Sequence, residues 1–147
     1  VLVIVAVVFL GLIFAFWGKS YPNNVLLNGS VIQVEIADDA VVMAKGLSGH
    51  KPLGSSEGML FIFGSPGDHG FWMKDMTFSI DIIWFDKNKK IIHIEKSLSP
   101  ETYPKTYSSK SDSLYVLELM AGTSDKLGLK IGDSFSFIKN TGRNLGI

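Results

Sequence analysis

Two carboxylates carry most of the chemistry this sequence offers. Asp81 lies in SIDIIWF, residues 79–85, and Glu118 in LYVLELMA, residues 114–121. Both runs are dense in apolar residues, where an unpaired anion is costly. Strand alternation sets residues two apart on one face. Asp81 then shares a face with Ile83 and Phe85, and Ile80, Ile82 and Trp84 take the other, so this strand reads as buried on both sides. Glu118 falls with Leu114, Val116 and Met120. Two carboxyls converging on an open pocket could act as general acid and base, which would suit a hydrolase of an envelope polymer. Paired instead with Lys45 or Lys74, or with backbone N–H groups, the same carboxyls would fix strand register and do no chemistry.

The stretch GFWMKDM, residues 70–76, sets two large aromatics and a methionine beside a cation and an anion. Phe71 and Met73 read as packing residues, whereas Trp72 and Lys74 read as the lining of a cleft. The candidate binding set is therefore Lys45, Trp72, Lys74, Asp81 and Glu118. His50, His69 and His93 lie far apart and show no metal-ligand spacing, and no nucleophile elbow, phosphate loop or dinucleotide fingerprint is present. No cofactor is expected. The chain has no cysteine, which excludes disulfides, thiolate metal sites and a cysteine nucleophile.

The elements that would position these residues are short. Of the 147 residues, 1–17 (VLVIVAVVFLGLIFAFW) carry no charge and are apolar apart from Gly11. That length is at the low end for a transmembrane helix. Ala15-Phe16-Trp17 lacks the small residues of a signal cleavage site, so a retained anchor is expected, with Trp17 at the membrane interface. Residues 18–29 read as a linker rich in turn formers, and residues 30–147 as a single β-rich domain. Lys and Arg total 14 and Asp and Glu total 14, and Arg143 is the single arginine. This balance argues against nucleic acid, whose phosphates demand a basic surface.

Within the domain, residues 31–36 read as a strand and Asp38 as the cap of a short helix reaching Leu47. Residues 58–63 and 71–74 read as strands, and Gly64–Gly70 as a turn cluster. Residues 79–85 and 90–97 should pair as an antiparallel hairpin around Asp86-Lys-Asn-Lys-Lys. Residues 98–112 read as a polar loop, 114–121 as a strand, Thr123 as the cap of one helical turn, and 133–138 as the closing strand. The expected fold is mainly β: a compact antiparallel sandwich or partly closed barrel with two short helices.

The motifs GMLFIF (58–63), FWMKDM (71–76), IDIIWFD (80–86), YVLELMAG (115–122) and IGD (131–133), in that order, resemble the bacterial and archaeal family known as domain of unknown function 192. The resemblance spans about residues 31–138. It implies a compact, mainly β fold, exported behind a signal or anchor, and it implies no reaction. Trp72, Lys74, Asp81, Glu118 and Asp133 match the family pattern. The chain departs from it at Lys45-Gly46-Leu47-Ser48, where relatives carry R-G-L-M, at Asp75, where they carry Asn, and at Ser79-Ile80, where they carry P-L. Lysine at 45 keeps the charge but loses the two-pronged geometry of arginine. Taken together, these readings describe a membrane-anchored extracytoplasmic module that binds a small ligand or an envelope protein near Trp72 and Lys74.

Overall fold

The structure, a computed structural model, describes residues 21–138. Nine strands carry the fold: β1 (Asn24–Leu27), β2 (Ser30–Ala37), β3 (Glu57–Gly67), β4 (Phe71–Trp72), β5 (Ile80–Phe85), β6 (Ile91–Leu98), β7 (Thr106–Tyr107), β8 (Ser113–Met120) and β9 (Phe135–Phe137). Two short helices, α1 (Ala40–Lys45) and α2 (Thr123–Lys126), lie between strands. Seven strands form one sheet in the order β6-β5-β8-β3-β2-β1-β9, and β4 pairs with β7 separately. The sheet curls until its outer strands meet. Lys90 bridges Ser134, and the Ile91 N–H donates to the Asp133 carbonyl at 2.7 Å. The result is a half-barrel pinned at one end, so the barrel alternative describes this chain and the sandwich does not.

Every pairing in the large sheet is antiparallel except one: β2 and β3 run parallel, from Gln33↔Glu57 to Ala37↔Phe61. A parallel pair needs a crossover, and residues 38–56 with α1 supply it. Asp39 caps α1 by accepting from the Val41 and Val42 N–H groups at 2.9 and 3.0 Å, one residue later than the sequence suggests. Strand alternation splits the core in two. Leu60, Ile62, Ile83, Phe85, Leu117 and Leu119 fill the inside of the half-barrel. Met59, Phe61, Ile80, Ile82, Trp84 and Val116 face outward and are covered by Leu47, Met73, Phe78 and Tyr107.

Some expectations shift. The range 18–29 holds a strand, since Val25 and Leu27 are fully buried and β1 pairs on both sides. The turn formers around these residues hide an alternation only two apolar residues long. The cluster expected as a turn at 64–70 is partly strand: β3 runs to Gly67 through a register break after Ile62. β4 ends at Trp72, short of Lys74, and the loop expected over 98–112 contains β7. The anchor expected over 1–17 lies outside the described residues. Among those described, no helix is long and apolar enough to cross a membrane.

Gly58 shows how tightly β3 sits on β8. A Cβ there would meet the Glu118 carbonyl at 2.8 Å and Leu119 Cδ2 at 2.9 Å. Gly58→Ala is therefore expected to destabilise by about 2 kcal/mol, read as a lower urea midpoint at unchanged slope. An unchanged midpoint would mean that the two strands part locally at no cost.

Candidate functional site

Asp81 is fully buried inside the half-barrel and meets no lysine. Between Ile80↔Leu98 and Ile82↔Glu95, β6 carries one residue more than β5, forming a bulge with Ser97 at φ 52°. The bulge turns the Ser97 N–H onto Asp81 Oδ1 at 2.8 Å. The start of α2 supplies the rest. Gly122 N–H reaches Oδ1 at 3.2 Å, and the Ser124 N–H and hydroxyl donate to Oδ2 at 2.9 and 2.6 Å. Gly122, not Thr123, is the N-cap of α2, at φ 84°, and no side chain of the helix itself caps it. Asp81 is thus a cap delivered from a neighbouring strand: one carboxylate ties the β6 bulge, the β8–α2 turn and β5 together.

Glu118 points the other way. Its Cα pairs with Met59 on one side and Ile82 on the other, both on the outward core face. Asp81 pairs with Leu119, whose side chain fills the inside. The two carboxyls therefore lie on opposite faces of one sheet, and the acid–base pair considered from the sequence does not form. Glu118 is 5 % exposed, and its Oε2 is buried with no hydrogen-bond partner. Burial pushes its pKa up from 4.5 to about 8, so it is protonated at neutral pH. Among the described residues the ion pairs are His93–Glu95 and Lys96–Asp125, so no lysine stands within 4.0 Å of Glu118.

Glu118 opens onto a hollow of about 130 Å³ under the end of α1. Met43, Phe61, Phe63, Phe71, Trp72 and Met76 are its apolar lining, and Lys45 and Ser48 add polar groups. Phe71 is the hub of the aromatic wall. It meets Phe61 edge-on at 4.9 Å and Phe63 at 6.4 Å, and on its core side meets Trp84 at 5.9 Å. Phe63 is fixed in turn by the His69 ring, stacked at 3.5 Å, and Trp84 Nε1 donates to the His69 carbonyl at 2.9 Å. Ser48 Oγ donates to the Lys74 carbonyl at 2.8 Å, which holds the chain after α1 against the chain after β4.

Of the five candidates, the structure brings Lys45, Trp72 and Glu118 to this hollow. Lys74 is exposed and outside it, with Nζ 5.9 Å from the centre of the Trp72 ring, because β4 ends before it and the chain turns at Asp75, φ 55°. Trp72 is 51 % exposed and packs on Tyr103 at 5.7 Å. Phe71 both packs and lines the hollow, whereas Met73 is buried in the outer core. Asp133 is a turn residue, its carboxylate accepting from the Lys130 N–H at 3.0 Å. Met43, Phe61, Phe63 and Met76 were not singled out beforehand. Nothing in their spacing separates a residue that lines a hollow from one that fills a core.

Known proteins agree with this architecture. Residues 24–137 match the family model DUF192, described as "Uncharacterized ACR". A crystal structure described as a protein of unknown function from Novosphingobium aromaticivorans is 29% identical, with a TM-score of 0.73 over 78% of this chain and 84% of that one. A crystal structure described as a putative transcription regulator from Sinorhizobium meliloti is 30% identical, with a TM-score of 0.74 over 80% of this chain and 95% of that one. No curated protein matches the chain. Both the motif order and the half-barrel are accounted for by a single conclusion: the chain belongs to the DUF192 family, domain of unknown function 192.

Proposed function

We propose that this chain is a membrane-tethered, extracytoplasmic module that binds a small ligand without transforming it, in the hollow over Glu118. One observation carries the binding reading. A buried carboxyl oxygen with no partner is a standing cost, and Glu118, which carries it, lines a small, ready-made cavity walled largely by aromatic rings. A ligand that reaches the oxygen removes that cost. The volume favours a small molecule or group over a protein surface. A cavity of about 150 Å³ holds one benzene, so about 130 Å³ accommodates a handful of heavy atoms. The non-catalytic reading rests on the carboxyls: among the described residues no second carboxyl lines the hollow with Glu118, and Asp81 is engaged by four donors on the other face. The tether reading rests on the uncharged run at residues 1–17.

A fragment mixture of neutral, anionic and cationic compounds, followed by protein NMR, tests the binding. Fragments that bind are expected to shift resonances of Phe71, Trp72 and Glu118, and Phe71→Ala is expected to weaken them at least about tenfold, since removal of a buried aromatic contact is worth a few kcal/mol. A mixture that leaves these three residues unmoved would remove the hollow from consideration. For the tether, the full chain should pellet with membranes and be cleaved by protease added to intact spheroplasts. Deletion of residues 1–17 should release it.

A further inference from the structure

We infer that the hollow over Glu118 takes a small organic ammonium ion. The inference deepens the ligand-binding reading above and rests on it. Two titratable side chains line the cavity, Glu118 and Lys45. Glu118 lies on its buried wall, flanked by Met59 and Ile82, which offer it no donor. Lys45 is exposed in the last turn of α1, more than 4.0 Å from the carboxylate, and forms the rim. Six of the wall groups suit a cation, beside the aliphatic Ala44 and Leu47. Phe61, Phe63, Phe71 and Trp72 carry π-systems, and Met43 and Met76 carry polarisable sulfurs. Phe61 and Phe63 stand at 83° and 86° to Phe71, edge-on contacts that hold the aromatic wall in place. An anion entering here would meet the negative faces of the aromatic rings. A neutral alcohol would bond to the Glu118 carboxyl and draw nothing further from the rings. An ammonium ion satisfies both at once, as counter-ion to the carboxylate and as a cation against the aromatics. Outside the hollow, Trp72 already holds one cation, Lys74 Nζ at 5.9 Å.

Burial keeps Glu118 protonated to about pH 8, so a cation that pairs with it must expel one proton. Affinity should then rise about tenfold per pH unit up to that point. Lys45 is the other titratable group lining the cavity.

The test titrates the full chain, held in a nonionic maltoside detergent, with choline and with its neutral isostere 3,3-dimethylbutan-1-ol, by calorimetry at pH 6 and pH 8. Choline is expected to bind at least about tenfold tighter than the alcohol at pH 8, with release of close to one proton at pH 6. Glu118→Gln should abolish the preference and the proton release while retaining the parent's thermal unfolding at pH 6. Lys45→Met should tighten choline a few-fold by removing a like charge from the rim. Glycerophosphocholine identifies the source: tighter binding than choline assigns the ammonium to a lipid head group, weaker binding to a free ion, and either supports the cation. Equal binding of choline and the alcohol would overturn the ammonium assignment and keep the pocket. So would weaker choline binding by Lys45→Met. If neither compound binds, and the fragment mixture is also silent, the pocket reading falls with it.

Discussion

Replacing Asp81 by alanine is expected to destabilise the domain by about 4 kcal/mol, the scale on which one partner of a buried charged network is lost. The carboxylate accepts four hydrogen bonds, three of them from backbone N–H groups, and the two on Ser124 are fully buried. Removing it strands donors at the β6 bulge and at the first turn of α2 together. The cost is therefore paid at two elements that do not otherwise share an acceptor. Asp81→Asn keeps the shape but turns an NH2 group towards donors, and about half the loss is expected. Urea unfolding at neutral pH measures both. A loss below about 1 kcal/mol for the alanine variant would mean that α2 and the bulge are held by something other than this carboxylate.

The second large effect concerns Glu118 and runs with pH. Its pKa is about 8 in the folded chain and near 4.5 when unfolded. Between these values the folded state binds a proton that the unfolded state has released. Stability must fall as pH rises through that window, and the loss is complete above about pH 8. Its size is on the order of 5 kcal/mol, since each pKa unit is worth about 1.4 kcal/mol. Glu118→Gln, a neutral isostere of the protonated acid, should remove this slope. It should melt close to the parent at pH 5 and well above it at pH 8.5. Parallel stability curves for the two proteins across that range would show that Glu118 ionises freely in the folded state, and the buried, unpartnered oxygen would lose its meaning. Apolar surroundings make the cost. Met59, Ile82, Val116 and Met120 leave the carboxyl no donor, so the proton is retained.

The contrast between these acids marks how far the sequence could be read. The β5–β6 hairpin, β8 and the burial of both carboxylates were legible, because long alternating apolar runs around a polar turn admit few other readings. Backbone N–H groups stood open as the alternative partners for Asp81, and they are the partners found. What alternation could not supply was register. Within β5 it sets Asp81 with Ile83, and within β8 it sets Glu118 with Val116, but it does not say which faces coincide. Pairing Ile82 with Glu118 and Asp81 with Leu119 decides this, and a shift of one residue would have brought the two acids together. β1 escaped notice because four residues of strand among Asn, Gly and Pro give no period to detect. The parallel β2–β3 pairing is a matter of where a crossover lands, which no local pattern encodes. Alternation sets Lys74 in the cleft only if the strand runs two residues further than β4 does.

The β1–β9 pairing has a mechanical side. Val25 faces Phe137 and the Ile138 N–H donates to the Asn24 carbonyl at 2.9 Å, so the chain enters and leaves this body at adjacent points, with Tyr21 stacked on Phe137. Tension applied across those two points would peel the outermost ladder open one bond at a time, like a zipper, instead of shearing several bonds together. The rim where the ends meet is the soft seam of the body, and the pinned edge at Lys90 and Ser134 is what arrests the tear.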